Sequence, residues 1–273
     1  MNRTLGLIGI LLLATVNAAA QETSAPAVEL DAPYVPTPAP VVKSMLTMGG
    51  VGPSDIVYDL GSGDGRLPIA AVKDFGAKKG VGIDLDPVRV AEARANARKT
   101  GVEDRVTFHQ GDMFAFDFSE ATVLPLYLLP EMMLQLRPKM LEMRPGTRIV
   151  AHDYALGDWE ADKFEDLGGR TLYYWVVPAK VSGAWRWRMN GKDYNVDLGQ
   201  TYQKVAGTLR TDGVKASLEL PVLTGDSLKF EARLPGAGGT QALAFDGKVA
   251  GDLIEATVVL AGRSAKVTAT RIR

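Results

Sequence analysis

Asp59-Leu-Gly61-Ser-Gly63-Asp-Gly65 constrains this chain more than any other stretch. It follows a short β-forming run, Asp55-Ile-Val-Tyr-Asp59, and precedes Arg66 to Asp74, where Leu67, Ile69, Ala70 and Val72 supply the apolar side of a helix. A strand, a glycine-rich turn and a helix form the opening unit of a parallel α/β sheet. In such a unit the turn backbone can approach a ligand closely at the sheet edge, because glycine has no Cβ to hold it away. An ordinary turn is the alternative. Three glycines at alternate positions behind an acidic residue favour a ligand cradle.

The same alternation of strand and helix continues downstream. Val81-Gly-Ile-Asp84 reads as a second strand, and Pro87 opens a helix through Lys99 at a position that loses no amide donor. Val106-Thr-Phe108, Ala121 to Tyr127 and Arg148 to His152 read as further strands, with a helix from Glu131 to Leu141. Strands separated by helices predict right-handed crossovers and a parallel sheet.

Near Val177 the pattern changes. From Val181 there is no helical period, only short alternating runs: Val181 to Arg188, Thr201 to Thr211, Ser227 to Arg233, Ala242 to Val249, Leu253 to Leu260 and Ala265 to Arg271. Asn190-Gly191 and Asp212-Gly213 are two-residue hairpin signals. About eight short strands in succession predict an antiparallel meander, closed or half-closed into a small barrel. The expected fold is therefore an α/β Rossmann-like domain followed by an all-β domain.

The turn chemistry separates two nucleotide ligands. A dinucleotide fingerprint places its third glycine three residues after the second, and here that place is Arg66. Asp59, ending the first strand, would also repel a pyrophosphate. A sulfonium nucleoside carries an α-ammonium group and no phosphate, so a carboxylate there is favourable. Gly61, Ser62, Gly63 and Gly65 would then cradle S-adenosylmethionine through their backbone. Asp84, ending the second strand with Leu85 beside it, has the spacing for ribose hydroxyls, and Asp86-Pro87 suits a helix cap. Asp112 would accept from the adenine amine while Met113 packs on the ring; a solvated loop aspartate is the alternative.

These segments resemble the successive motifs of class I, seven-β-strand S-adenosylmethionine-dependent methyltransferases. Pro33-Tyr-Val-Pro-Thr37, Leu129-Pro-Glu-Met-Met-Leu-Gln-Leu136 and His152-Asp153 followed by Asp158-Trp159 are similar to a narrower group. That group is the bacterial relatives of the mitochondrial protein-lysine N-methyltransferases that modify the c-subunit of ATP synthase and the adenine nucleotide translocase. The resemblance covers roughly residues 33–178 and leaves out the β domain, which resembles small lipocalin-like barrels only loosely. It implies that Tyr34 and Thr37 fold over the cofactor and shape the acceptor entrance. The residues themselves allow a proline-stiffened lid or a plain linker.

Acceptor-side candidates are few. Tyr127 either lines a methyl-transfer channel or is a core aromatic with a wet hydroxyl. Asp153, ending the fifth strand with His152, is the second catalytic candidate; His152 reads as structural rather than as a base, as does His109. Met132, Met133, Leu134 and Leu136 read as core. The strand ending at Tyr127 lacks the Asn/Asp-Pro-Pro-Tyr motif of amide and adenine N-methylating enzymes. A protein lysine is the expected acceptor, reached by in-line transfer without a dedicated base. Burial and the sulfonium charge both lower the ammonium pKa.

Composition excludes other chemistry. With no cysteine, disulfides and thiolate nucleophiles are ruled out; two histidines argue against a multi-histidine centre, and no metal is expected. A net charge of −1 gives no basic stripe, so no nucleic-acid partner is expected. Arg3, the apolar run Leu5 to Val16 and Ala18-Ala-Ala20 have the three-part layout of a secretory signal peptide. The run is too short for a comfortable membrane span, so an exported, periplasmic or secreted protein without an integral span after cleavage is expected, with an uncleaved anchor as the alternative. The divisions are a signal at 1–20, a proline-rich lead-in at 21–40, the cofactor-binding domain at 41–178 and the β domain at 179–273. Export takes the chain away from cytosolic S-adenosylmethionine. Beside an exported, active methyltransferase stand two alternatives, an exported non-enzymatic binding protein on a methyltransferase scaffold and a cytosolic small-molecule methyltransferase whose N-terminus is not a signal.

Overall fold

The computed structural model describes residues 33–236 and 239–272, so the expected signal segment and most of the lead-in lie outside the described residues. The first domain opens with helix α1 (Ala39–Met48) and strand β1 (Ile56–Leu60), followed by α2 (Arg66–Lys73), β2 (Lys79–Asp84) and α3 (Pro87–Thr100). Strands β3 (Val106–Gln110) and β4 (Val123–Leu126), helix α4 (Pro130–Met140) and strands β5 (Arg148–His152), β6 (Lys163–Asp166) and β7 (Thr171–Val176) complete it. The sheet order is β3-β2-β1-β4-β5-β7-β6.

The first five strands are parallel, as the alternating pattern requires. Two features depart from the expectation. No helix joins β3 to β4 among the described residues, and β6 and β7 add an antiparallel edge that the sequence pattern does not announce. All four residues of β6 are exposed, so it shows no period-2 burial to read. The sheet is mixed rather than wholly parallel.

Local chemistry sets the element ends. Asp86 caps α3 by accepting the Val88 amide at 2.8 Å, with Pro87 at the first helical turn. Three helices cover one sheet face, where Met45 and Leu46 of α1, Leu67 and Ala71 of α2 and Ala93 of α3 share one core with Val57 and Val123. On the other face Met133, Leu136 and Met140 of α4 join Trp159 and Trp175. Leu134, expected in the core, is 44% exposed because it points away from this seam.

The second domain is a closed antiparallel barrel. Its strands are β8 (Gly183–Met189), β9 (Lys192–Thr201), β10 (Lys204–Thr211), β11 (Val214–Thr224), β12 (Ser227–Gly236), β13 (Gly239–Ala250), β14 (Leu253–Leu260) and β15 (Arg263–Ile272). Each pairs with its chain neighbour, and β15 closes on β8 through Arg271 opposite Trp185. Asn190-Gly191 and Asp212-Gly213 form the expected hairpins, with positive φ at both turn positions. Trp185, Trp187, Tyr194, Phe230 and Phe245 fill the interior, with Phe230 and Phe245 stacked at 4.5 Å. The Thr201 to Thr211 run, expected as one strand, is broken at Tyr202-Gln203, which turns β9 into β10. That turn rests against the first domain. The β11–β12 turn meets the segment between the domains, where the Ala179 amide donates to the Gly225 carbonyl at 2.8 Å.

Candidate active site

The strand order reverses between β1 and β4, and ligands of such sheets bind in the crevice this opens beyond the carboxyl ends of the strands. One cleft lies there. Asp59 of β1, Asp84 of β2 and Asp112 after β3 all line it, as do Gly61, Ser62, Gly63, Leu85 and Met113. Tyr34 and Thr37 of the lead-in close one side, and Tyr127 and Tyr154 stand at the other. Gly65 is the exception among the glycines, lying behind the cleft wall.

The glycine turn is held by backbone bonds. The amides of Gly61 and Ser62 both donate to the Ile83 carbonyl, at 2.8 and 2.9 Å, and the Gly63 amide donates to Asp84 Oδ2 at 2.7 Å. Gly63 has φ +52, and a Cβ there would lie 2.4 Å from the Tyr34 ring. Gly65 has φ +80 at the start of α2, and a Cβ there would meet the Phe108 ring at 2.4 Å. Both positions favour glycine, Gly63 because the Tyr34 ring lies against it and Gly65 for close packing of α2 against β3.

Electrostatics mark the cleft floor. Burial, then the like charges of Asp84 and Asp64, push the Asp59 carboxyl well above the usual carboxylate range. A cation entering the cleft would relieve that penalty, so the position suits an α-ammonium group. Ser62 Oγ is also buried without a hydrogen-bond partner. Asp112 is exposed and accepts from the Phe114 amide through Oδ1 at 2.7 Å, which leaves Oδ2 without a protein hydrogen bond among the described residues. The residues present therefore fit S-adenosylmethionine.

What holds the lid carries no sequence signal. Asp64 and Arg66 pair at 2.6 Å, and Arg66 also donates to the Thr37 carbonyl at 2.7 Å. Burial works against the Asp64 charge, but Arg66 overrides it and holds that carboxyl below its ordinary value. Arg89 lies 4.9 Å from the centre of the Tyr34 ring, a cation–π contact on the lid. These contacts make the Tyr34–Thr37 segment a lid over the glycine turn. No spacing announces them, since Thr37 and Arg66 are 29 residues apart.

The cleft wall at Tyr127 and Tyr154, where the sequence places acceptor-side candidates, is aromatic. Tyr127 is half-buried and stacks parallel to Tyr154 at 6.5 Å, and its opposite neighbour is the His152 ring at 4.1 Å. His152 is fully buried, its ring nitrogens have no hydrogen-bond partner, and burial lowers its pKa against the opposing pull of Asp153. Asp153 does not line the cleft. Its carboxylate accepts from Arg170 at 2.6 Å and from the Thr171 amide at 3.1 Å, and its backbone takes the left-handed φ of +64. His109 is exposed and packs on Phe116 at 5.2 Å. Met132, expected only as core, lines the cleft with Leu128 and Leu129.

Known proteins resemble this arrangement. A family profile described as the ANTKMT methyltransferase domain matches residues 59–163. A protein-lysine N-methyltransferase of Saccharolobus islandicus is 45% identical over 150 residues, which is 53% of this chain and 93% of that protein. A lysine N-methyltransferase of the ATP synthase c-subunit from Xenopus laevis is 34% identical over 181 residues, 65% of this chain and 78% of that protein. A crystal structure from Salinibacter ruber, described as an RNA methyltransferase in complex with S-adenosyl-L-homocysteine, is 51% identical with a TM-score of 0.53, covering 54% of this chain and 96% of that one. Nearly half of this chain thus has no counterpart in that structure. With S-adenosylmethionine as its cofactor and enzymes as its relatives, the chain belongs to the ANTKMT family of S-adenosylmethionine-dependent methyltransferases.

Proposed function

We propose that the chain methylates the side-chain amine of a lysine in a protein. The observation that carries this reading is the pair of tyrosines in the cleft wall, Tyr127 and Tyr154, whose rings stack 6.5 Å apart, while the nearby Asp153 carboxylate is engaged by Arg170 and the His152 imidazole is buried. An aromatic wall suits a slender alkylamine, whose methylenes can pack on the rings. Its similarity to protein-lysine methyltransferases at 45% and 34% identity supports the same reading.

In this reading each carboxylate takes one part of the cofactor. Asp59 pairs with the α-ammonium, Asp84 accepts from the ribose hydroxyls and Asp112 from the adenine amine, while Tyr34 and Thr37 shield the cleft from water. Bound there, S-adenosylmethionine supplies the methyl group, its S–CH3 bond breaking as the N–C bond forms. The chain's own contribution is alignment and desolvation. An aromatic, low-dielectric wall disfavours the ammonium form of the incoming lysine, which enters neutral after giving its proton to solvent. Tyr127 then orients the amine lone pair.

An RNA acceptor is the second reading, favoured by the description of the 51% identical Salinibacter ruber structure. The test is transfer of labelled methyl from the cofactor to an envelope extract and to total RNA. Label that is lost on protease digestion and recovered as methyl-lysine supports the protein reading. Label confined to RNA overturns it. From the N-terminal pattern we further propose that the enzyme works outside the cytosol, and recovery of the native chain in the cytosolic fraction rather than with the envelope would overturn that.

A further inference from the structure

We propose that the barrel serves the methyltransferase domain as a clamp: the turn joining β9 to β10 grips the loop after β5 and so holds Tyr154 in place at the acceptor end of the cleft. The inference rests on the acceptor end being where Tyr127 and Tyr154 stand.

The loop after β5 runs from Asp153 to Asp162 and has no regular structure beyond a bridge between Leu156 and Trp159. Tyr154, in the cleft wall, lies near one end of it. At the other end the barrel turn makes a dense set of bonds. Trp159 Nε1 donates to Gln203 Oε1 at 2.9 Å, and Gln203 Nε2 donates to the Glu160 carbonyl at 2.8 Å and to Asp162 Oδ1 at 3.1 Å. The Tyr202 hydroxyl donates to Asp158 Oδ2 at 3.0 Å, its ring stacks on Trp159 at 5.7 Å, and Lys204 pairs with Glu160 at 2.7 Å. The first domain contributes anchors of its own, Arg137 to the Leu156 carbonyl at 2.8 Å and Trp175 to the Trp159 carbonyl at 2.8 Å. Trp159, wholly buried, is therefore held from both domains.

The turn is not shaped by its backbone preference. Tyr202 occupies its first position with φ +54, a conformation that disfavours a bulky residue. The same position holds Gly225 at φ +57 and Gly251 at φ +61 in the β11–β12 and β13–β14 turns, and Asn190 at φ +52, Asp212 at φ +46 and Ala261 at φ +51 in the three turns whose second residue is a positive-φ glycine. An aromatic at that position occurs, among the described two-residue turns of the barrel, in the β9–β10 turn alone. Tyr202 brings a side chain that reaches Asp158 and Trp159.

The test uses the full chain and two substitutions, Tyr202→Gly and Gln203→Ala. Tyr202→Gly relieves the turn backbone, so it removes the grip without weakening the hairpin. The proposal expects hydrogen exchange across 153–162 to speed up roughly tenfold in each variant, with the 59–66 turn unchanged. It expects S-adenosylhomocysteine affinity to stay within twofold of wild type. Transfer of labelled methyl to an envelope extract should fall through a higher apparent KM for the protein acceptor. Unchanged exchange across 153–162, or equal loss of cofactor binding and transfer, overturns the clamp. Faster exchange in a chain that labels RNA and no protein would keep the clamp and sink the lysine reading.

Discussion

The Asp84 carboxylate accepts the Gly63 amide at 2.7 Å through one oxygen and the Asp86 amide at 2.9 Å through the other. One side chain thus ties the glycine turn to the tip of β2 while facing the cleft. Asp84→Asn keeps the shape but turns one acceptor into a donor that opposes an amide. Cofactor affinity should drop at least tenfold, about 1.4 kcal/mol or more. Isothermal titration with S-adenosylhomocysteine measures it, and wild-type affinity in this variant would remove Asp84 from the proposed site.

Asp59 sets a pH dependence with a definite sign. Burial, followed by the Asp84 and Asp64 charges, raises its pKa in the folded chain. The proton it retains stabilises the fold below the ordinary carboxylate range, and this stability is lost as pH rises through the raised value. A cationic ligand binds the deprotonated form. Cofactor affinity should therefore increase with pH up to that value and then level off, with proton release on binding across the window. Asp59→Asn should flatten both profiles, raise the melting temperature of the free chain at pH 7 and weaken binding. A variant that melts lower and binds equally well would contradict the assignment.

Gly63→Ala places a methyl 2.4 Å from the Tyr34 ring in a left-handed backbone. The ring can swing away, so the fold should survive at a cost of about 1 kcal/mol. The lid would no longer seat over the turn. Dissociation of S-adenosylhomocysteine should accelerate in stopped-flow measurements, more than association slows. Equal rates in both chains would mean that the lead-in does not act as a lid.

A control lies at the opposite sheet edge. Asp55 is buried, pairs with Arg148, and accepts from Thr122 Oγ1 at 2.7 Å and the Gly52 amide at 2.8 Å. Arg148 also donates to the Gly49 and Gly50 carbonyls at 2.8 and 2.9 Å. Asp55→Ala strands the guanidinium and Thr122. Since Arg148 is partly exposed, the loss should be about 2–3 kcal/mol of stability, below the full cost of a buried pair. Denaturant unfolding measures it, and cofactor affinity under native conditions should not change.

The alternation of elements, the Gly63 turn, the Asp86 cap and the Asn190-Gly191 and Asp212-Gly213 hairpins were legible because each depends on residues within a few positions of one another. So was the convergence of Asp59, Asp84 and Asp112, since parallel strands joined by crossovers must bring their carboxyl ends to one edge. The exposed strand β6 carried no period to read. Arg66 reaching back to Thr37, Arg170 taking Asp153 out of the cleft, and Gln203 of the barrel meeting Trp159 had no signal in the chain. Periodicity and turn chemistry act over short separations and write themselves into the sequence. Pairings across 17 to 44 residues depend on how whole elements dock, and only the folded chain brings those atoms within reach.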